Sequence, residues 1–209
     1  MHPKSSQSHP PGRLNGEEEE NEKVKSKSSD NLDAKLLECR TILVQGPVND
    51  KMFHSVSARL FFLEHKDPNG EILVVVNSRG GSADSGFGIY NLMKFISCPI
   101  KSLCAGMCAS AAVLIYLGGD RGKRFTLPHS RFLLHQPSTS TFGQASDMEI
   151  TAKEILRTRR KYAEVVAREI GTDPEKVVED SNRDFWLDAE ECKKYGLCDK
   201  VVVERKEMI

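Results

Sequence analysis

Residues 71–81 read EILVVVNSRGG, in which a run of β-branched residues ends in a polar, glycine-rich segment. A continuous apolar run of this kind is typical of a parallel strand buried on both faces, because helices cover both sides of a parallel sheet. The sequence therefore predicts a strand over residues 71–77 and a tight turn at Gly80 and Gly81.

Helix and strand patterns alternate on either side of this strand. Residues 51–65 and 84–96 carry apolar residues at helical spacing. Shorter apolar runs predict strands at 41–44, 100–104, 124–127 and 131–134, and an apolar helix at 109–117. Such alternation favours an α/β architecture with right-handed crossover connections.

The C-terminal part of the chain shows one long helical pattern followed by two further helix starts. Residues 145–170 are heavily charged in the first half and more apolar in the second, which predicts a helix that projects from the domain. Asp173, which precedes a proline, begins the next helix. Asp188 and Glu191 predict a capping box on a helix that Gly196 ends.

Length and composition predict one domain preceded by a polar tail. The chain has 209 residues, of which 39% are hydrophobic, and a chain of this size buries a sizeable core. Residues 1–30 contain few side chains that bury area on folding, so we expect a disordered tail that is a propeptide, a gate element or a simple extension. The expected domain then covers residues 31–209.

The charge balance and the cysteines limit the function classes. Thirty basic residues match thirty acidic ones, so no net positive field favours nucleic acid or anionic lipid. No apolar run approaches the ~20 residues of a membrane-spanning helix, and no secretory signal is visible. We therefore expect a cytoplasmic protein without nucleic-acid or membrane partners. The six cysteines lack the spacing of a zinc site, so we expect no metal and mostly reduced core thiols.

Three residues stand where nucleophilic chemistry is feasible. Ser110 follows the small-residue segment GMCA and precedes an apolar helix, whose N-terminal amides favour developing negative charge. His135 ends an apolar strand, and Asp184 lies in a polar step before two aromatic residues. Taken separately, each residue has a simpler structural explanation, as a helix cap, a packed histidine and a loop carboxylate.

Five ordered blocks place these residues in a wider pattern. The blocks are NSxGG at 77–81, GxxAS at 106–110, GKRF at 122–125 with HQP at 135–137, GQA at 143–145 with EIL at 154–156, and RD at 183–184 with YGL at 195–197. Over residues 36–202 the chain resembles the ClpP family, the proteolytic subunits of ATP-dependent Clp proteases. The resemblance implies the ClpP/crotonase fold, an α/β arrangement of stacked β-β-α units with a projecting handle helix at about 145–170.

The resemblance also implies an activity and an assembly. It indicates a serine endopeptidase subunit of a barrel-shaped protease that cleaves unfolded proteins to short peptides. The barrel would be a homo- or hetero-oligomer of two heptameric rings, with Arg183 at the contact between rings. A Clp-type AAA+ unfoldase would supply the unfolded polypeptide and use the ATP, so the resemblance implies no cofactor for this chain.

Motif by motif, the resemblance assigns roles to five positions. The nucleophile falls on Ser110, the general base on His135 and the acid that orients the base on Asp184. The backbone amides of Gly81 and Ala111 fall on the donors of the oxyanion hole. The chain order Ser, His, Asp is compatible with a catalytic triad, because triads are defined by geometry and roles.

The chain departs from the family pattern at four places. Arg79 replaces the usual proline of the Ser-x-Gly-Gly segment, which puts a long cation beside the expected oxyanion hole. Residues 138–142, STSTF, replace a glycine-rich stretch that pairs with substrate in the family. Residues 73–76, LVVV, lack the tyrosines that line the unfoldase docking pocket in many members, and the N-terminal gate segment is polar rather than apolar.

Two alternatives to a catalytic peptidase follow from these departures and from the fold. One is a non-catalytic or regulatory ClpP-like subunit in a mixed barrel, where a second paralogue supplies the docking face. The other is a hydratase or isomerase acting on coenzyme A thioesters, since such enzymes share the fold. The HQP block at His135 and the carboxylate of Asp184 argue against the second alternative.

Overall fold

A computed structural model describes residues 32–138, 140 and 142–208. The chain divides into two compact units, Met1–Cys39 and Arg40–Ile209. The described part of the first unit contains one helix, α1, at 32–38. The expected tail and gate segment, residues 1–30, lie outside the described residues, so the domain boundary at residue 31 stays a prediction.

The second unit alternates strands and helices, in agreement with the sequence pattern. Its elements are β1 (Thr41–Val48), α2 (Asp50–Lys66), β2 (Ile72–Gly81), α3 (Ala83–Phe95), β3 (Ile100–Ala109), α4 (Ala111–Leu117), β4 (Arg124–Thr126), β5 (Arg131–Leu134), α5 (Ala145–Ile170), α6 (Pro174–Asp180), β6 (Phe185–Leu187), α7 (Ala189–Tyr195) and β7 (Lys200–Val201), followed by a 3₁₀ turn at Arg205–Met208. No helix among the described residues is long and apolar enough to cross a membrane.

One sheet carries all seven strands, and β3 is its branch point. The main path runs β1-β2-β3-β4-β7, with every neighbouring pair parallel. The first half of β3 pairs with β4, whereas its second half pairs with β5, which also lies parallel to it. Strand β6 then pairs antiparallel with β5. This branch brings β5 and β6 to the C-terminal end of β3.

Three strands are longer than the sequence predicts, and the first of them, β1, ends at Val48 rather than at residue 44. The predicted turn at Gly80 and Gly81 is wrong, because β2 continues through both glycines and pairs Gly81 with Val48 of β1. The ladder passes over an irregularity between Gln45 and Pro47 and then resumes. Strand β3 likewise continues beyond residue 104 to residue 109. Pairing with neighbouring strands extends β2 and β3 through small residues that have little strand preference of their own.

Local capping signals form as predicted. The side chain of Asp173 accepts a hydrogen bond from the amide of Glu175, and a proline occupies the first turn of α6. Asp188 and Glu191 form a complete capping box on α7, which ends at the left-handed Gly196. These motifs satisfy amide groups that a helix end otherwise leaves without partners.

The prediction that β2 is buried on both faces is wrong, because its side chains are fully buried on one face and only half-buried at Leu73 and Val75 on the other. Ile72, Val74 and Val76 of β2 are completely buried. All seven residues of α4 are buried, so this short helix forms part of the core. Five of the six cysteines are buried and none of the six is in a disulfide, which confirms the prediction that most are core thiols.

A buried ionic network fastens the C-terminal end of α5 to the sheet. The Arg124 side chain is 2% exposed and contacts the carboxylate of Glu169. It also donates to the carbonyl of Leu117 at 2.9 Å, and the hydroxyl of Tyr90 donates to Glu169 Oε1 at 2.5 Å. Burial alone would raise the pKa of Glu169, but the hydrogen bonds from Tyr90 and Arg124 bring it below its ordinary value.

Candidate active site

Ser110 occupies a strained position between β3 and α4. Its backbone has φ +56° and ψ −126°, and Ser110 and Arg40 are the two described non-glycine residues with positive φ. Such conformations cost free energy and cluster at functional sites. The Ser110 side chain makes no capping hydrogen bond to α4, so the interpretation of this serine as only a helix cap is wrong.

Strand pairing places His135 beside Ser110. Ala109 pairs with Leu133 in the parallel β3–β5 ladder, and the amide of Ser110 donates to the carbonyl of Leu133 at 2.9 Å. His135 follows β5 directly, so its ring lies at the same edge of the sheet as the serine. Both residues line one cavity of about 420 Å³.

The antiparallel β5–β6 ladder brings Asp184 to His135. Leu134 pairs with Phe185, so His135 and Asp184 are the next opposing pair along the ladder. Nδ1 of His135 lies 4.0 Å from Oδ1 of Asp184, and their side chains are 31% and 65% exposed. The carboxylate therefore sits beside the imidazole at slightly more than hydrogen-bond distance, and it lies outside the residues that line the cavity.

Gly80 of β2 packs directly against the serine turn, and Gly81 packs against the end of β1. A Cβ atom on Gly80 would lie 2.5 Å from the carbonyl oxygen of Ala109 and 2.7 Å from Cβ of Ser110. A Cβ atom on Gly81 would lie 2.3 Å from the carbonyl oxygen of Val48. Both glycines have positive φ, so no other residue fits this close approach of three strands without a shift.

Ser78 holds the glycine segment in place. Its hydroxyl donates to the carbonyl of Gly46 at 2.5 Å and accepts from the amide of Gly80 at 3.1 Å. The residue is almost completely buried. Because both bonds use one hydroxyl, Ser78 links the end of β1 to the glycines that line the cavity.

The expected oxyanion donors lie around the same cavity. Gly81 and Ala111 line it together with Ser110 and His135. The amide of Ala111 belongs to the first residue of α4, where no preceding turn supplies an acceptor. The four residues that the resemblance assigns to the nucleophile, base and oxyanion hole are thus close together in space.

Sequence reasoning missed the contribution of α5 to the site. Thr158 and Tyr162, one helical turn apart, line the cavity, and the Tyr162 hydroxyl donates to the carbonyl of Ser110 at 3.4 Å. Burial raises the pKa of Tyr162 well above its ordinary value, so the hydroxyl stays protonated. The four-residue spacing of Thr158 and Tyr162 in the sequence indicates that the two side chains share one face of the helix. It does not indicate which part of the chain that face contacts.

A second missed contact orders the segment before Asp184. The side-chain amide of Gln136 donates to the carbonyl of Asn182 at 2.7 Å. Asn182 also accepts from Arg159 of α5 at 3.4 Å. This pair of contacts holds the segment that carries Asp184 close to His135. Arg183 lies in the same segment and is exposed.

Comparisons with known proteins agree with this geometry. A family model described as Clp protease matches residues 24–205. An ATP-dependent Clp protease proteolytic subunit of Bacteroides fragilis is 40% identical over 172 residues, covering 82% of this chain and 83% of the relative. A protein of the same description from Porphyromonas gingivalis is 39% identical over 83% of this chain and 78% of its own. The solved structure of a ClpP1 mutant from Listeria monocytogenes has a TM-score of 0.79 and 34% identity, and the match covers 85% of this chain and 99% of that one.

Proposed function

The chain belongs to the Clp protease family, and we propose that Ser110, His135 and Asp184 are the catalytic residues of its peptidase activity. It is a serine endopeptidase, the proteolytic subunit of an ATP-dependent Clp protease with the ClpP fold. The observation that carries the assignment is the strained Ser110, which has no capping bond and shares a cavity with His135.

In the proposed mechanism the Ser110 hydroxyl attacks the carbonyl carbon of the scissile peptide bond. His135 takes the hydroxyl proton and returns it to the leaving amine, and a water molecule then hydrolyses the acyl-enzyme by the same route. Asp184 holds the imidazole in the tautomer that accepts the proton. Removal of one triad member from such a set typically reduces kcat by about 10⁴-fold or more.

The amides of Gly81 and Ala111 stabilise the tetrahedral intermediate in this proposal. Negative charge develops on the former carbonyl oxygen, and two amide donors already in place need no reorganisation when it appears. Support comes from the lining of the cavity, where both residues stand beside Ser110. Loss of one such donor typically lowers kcat by about 10²- to 10³-fold.

The triad requires a small adjustment to become fully aligned. The 4.0 Å separation between His135 Nδ1 and Asp184 Oδ1 must shorten by about 1 Å to make a hydrogen bond. Catalytic hydrogen bonds are often long before substrate binds. The bond from Gln136 to Asn182 keeps the two segments together, so the movement is local.

We also propose an assembly and a partner for the chain. Two heptameric rings, homomeric or mixed, form a cytoplasmic barrel, in which Arg183 and α5 contact the opposite ring. Apolar side chains exposed on α5 support the contact: Met148, Ile150 and Leu156. An AAA+ unfoldase uses ATP and feeds unfolded polypeptide to the chamber, so the chain itself needs no cofactor or metal. The use of ATP by a partner agrees with the relatives, which are described as proteolytic subunits of ATP-dependent proteases.

A fluorophosphonate probe tests the catalytic assignment directly. The purified oligomer should be labelled at Ser110, as identified by mass spectrometry of the modified peptide. The Ser110→Ala variant should show no labelling and no peptide hydrolysis, whereas Ser57→Ala, which removes a half-buried serine of α2 outside the residues that line the cavity, should behave like the unmodified protein. Hydrolysis at an unchanged rate by an assembled Ser110→Ala oligomer would show that the assignment is wrong.

A further inference from the structure

A second cavity adjoins the catalytic one. It has a volume of about 440 Å³ and is lined by Gly46, Pro47, Asn77, Ser78, Arg79, Gly80 and Met107. Arg79 and Gly80 also line the catalytic cavity. The two spaces therefore meet at the end of β2, next to the serine turn.

Arg79 carries a positive charge that no described residue neutralises. Its side chain is exposed and, among the described parts of the chain, it makes no ion pair or hydrogen bond, in contrast to the paired Arg124 and Arg160. No aspartate or glutamate is present among the described residues that line either cavity. The junction of the two cavities is thus positively charged and open to a ligand.

Asn77 adds a second hydrogen-bond donor on the wall of the second cavity. Its side-chain oxygen accepts from the amide of Met107 at 3.1 Å, which fixes the orientation of the amide group. The NH₂ group of Asn77 has no partner within the described residues and remains available as a donor. A guanidinium fork and an amide NH₂ group are both donors to carboxylate oxygens.

We propose that Arg79 and Asn77 form a subsite that binds a carboxylate beside the scissile bond and so favours acidic substrates. The carboxylate belongs to an aspartate or glutamate side chain of the substrate, or to the C-terminus of a cleaved product. The inference rests on the proposed catalytic role of Ser110. Phe87, Leu114 and Tyr162 line only the catalytic cavity, which leaves that space for an apolar side chain while the carboxylate enters the second one.

The expected preference follows from the exposure of Arg79. An ion pair exposed to solvent contributes little binding free energy, whereas a charge-assisted hydrogen bond in a site covered by substrate contributes more. We expect a glutamate peptide to have a kcat/KM about three- to tenfold higher than the peptide with glutamine at the same position. The ratio should fall at high ionic strength, because salt screens an exposed charge pair.

Matched internally quenched peptides test the subsite with the assembled oligomer. Each peptide has an apolar residue at the cleavage site and carries glutamate, glutamine or lysine at one other position. That position is moved from one peptide to the next, on both sides of the apolar residue. Arg79→Gln should abolish the glutamate preference while hydrolysis of the glutamine peptides continues, and Arg79→Glu should favour lysine. Asn77→Asp keeps the acceptor for Met107 but replaces the donor with a charge, so it should reduce the glutamate preference as well.

Two further comparisons separate the possible outcomes. If the recognised group is the product terminus, a peptide acid should inhibit more strongly than its amide, and Arg79→Gln should remove that difference. The subsite is refuted if the unmodified protein shows neither preference, or if Arg79→Gln lowers the hydrolysis of all peptides equally. Probe labelling of Ser110 in each variant identifies a failure of the catalytic assignment separately, since the label does not depend on peptide charge.

Discussion

Replacement of Gly80 by alanine should disable the nucleophile without unfolding the chain. Gly80 has φ +87°, and its added Cβ would lie 2.5 Å from the carbonyl oxygen of Ala109 and 3.0 Å from the amide nitrogen of Ala111. Both neighbours are backbone atoms on either side of Ser110. Neither can rotate away, so the serine turn itself must move.

The structure gives the size of this movement. Ordinary contact begins at about 3.4 Å, so the 2.5 Å approach requires a shift of about 0.9 Å at Ala109. A misplacement of about 1 Å in a catalytic group typically costs about 100-fold in rate. The positive φ adds about 1–2 kcal/mol of backbone strain for alanine, which is a fraction of the stability of a typical domain.

Gly122→Ala is the matched control for this experiment. Gly122 has φ +83°, and a Cβ there meets no atom within 4 Å, so the variant carries the same backbone strain without the clash. Labelling rate with a fluorophosphonate, thermal unfolding and size-exclusion chromatography should be measured on both. Gly80→Ala should be labelled about 100-fold more slowly than Gly122→Ala at similar stability. Equal labelling rates for two folded, assembled variants would refute the argument.

Three further predictions concern the orienting acid, the buried network and a helix cap. Asp184→Asn should lower kcat by about 10⁴-fold with an unchanged melting temperature, because the amide no longer fixes the tautomer of His135; a loss below tenfold would argue against the triad. Glu169, which has a lowered pKa, stabilises the fold above its ordinary value of 4.5 and loses this contribution as pH falls through the lowered value. The melting-temperature difference between the unmodified protein and Glu169→Gln should therefore be largest near pH 7 and shrink below about pH 4, and a pH-independent difference would contradict the network with Arg124. Asp188→Ala removes one half of the capping box and should destabilise the chain by about 0.5–2 kcal/mol in denaturant unfolding without a change in probe labelling; unchanged stability would show that the cap contributes little.

Local sequence patterns were sufficient for the helices α2–α7 and the strands β1–β5, but they predicted neither β6 nor β7. The helix predicted at residues 145–170 forms over that same range, and the capping box at Asp188 is present. Helical spacing, helix caps and β-branched runs depend on residues that are close together in the chain, so the sequence alone shows them. The ends of β1, β2 and β3 could not be predicted in this way, because strand pairing extends them.

The candidate site depended on residues that are far apart in the chain. Ser110, His135 and Asp184 each had a simpler structural explanation from local sequence, and only the surrounding blocks favoured their joint assignment. The β3–β5 and β5–β6 ladders place them together. The cavity wall from α5 and the junction at Arg79 likewise depend on packing between distant segments.

Sequence patterns alone established the order of the elements from β1 to α6, the buried character of the central strand on one face and the family to which the motifs point. Three features emerge only in the folded chain: Gly80 and Gly81 belong to a strand, Ser110 has a strained backbone rather than a capping role, and an arginine without a partner among the described residues joins two cavities. The physical reason is that periodicity and capping are local, whereas strand register and close backbone approach arise only when distant segments pack together.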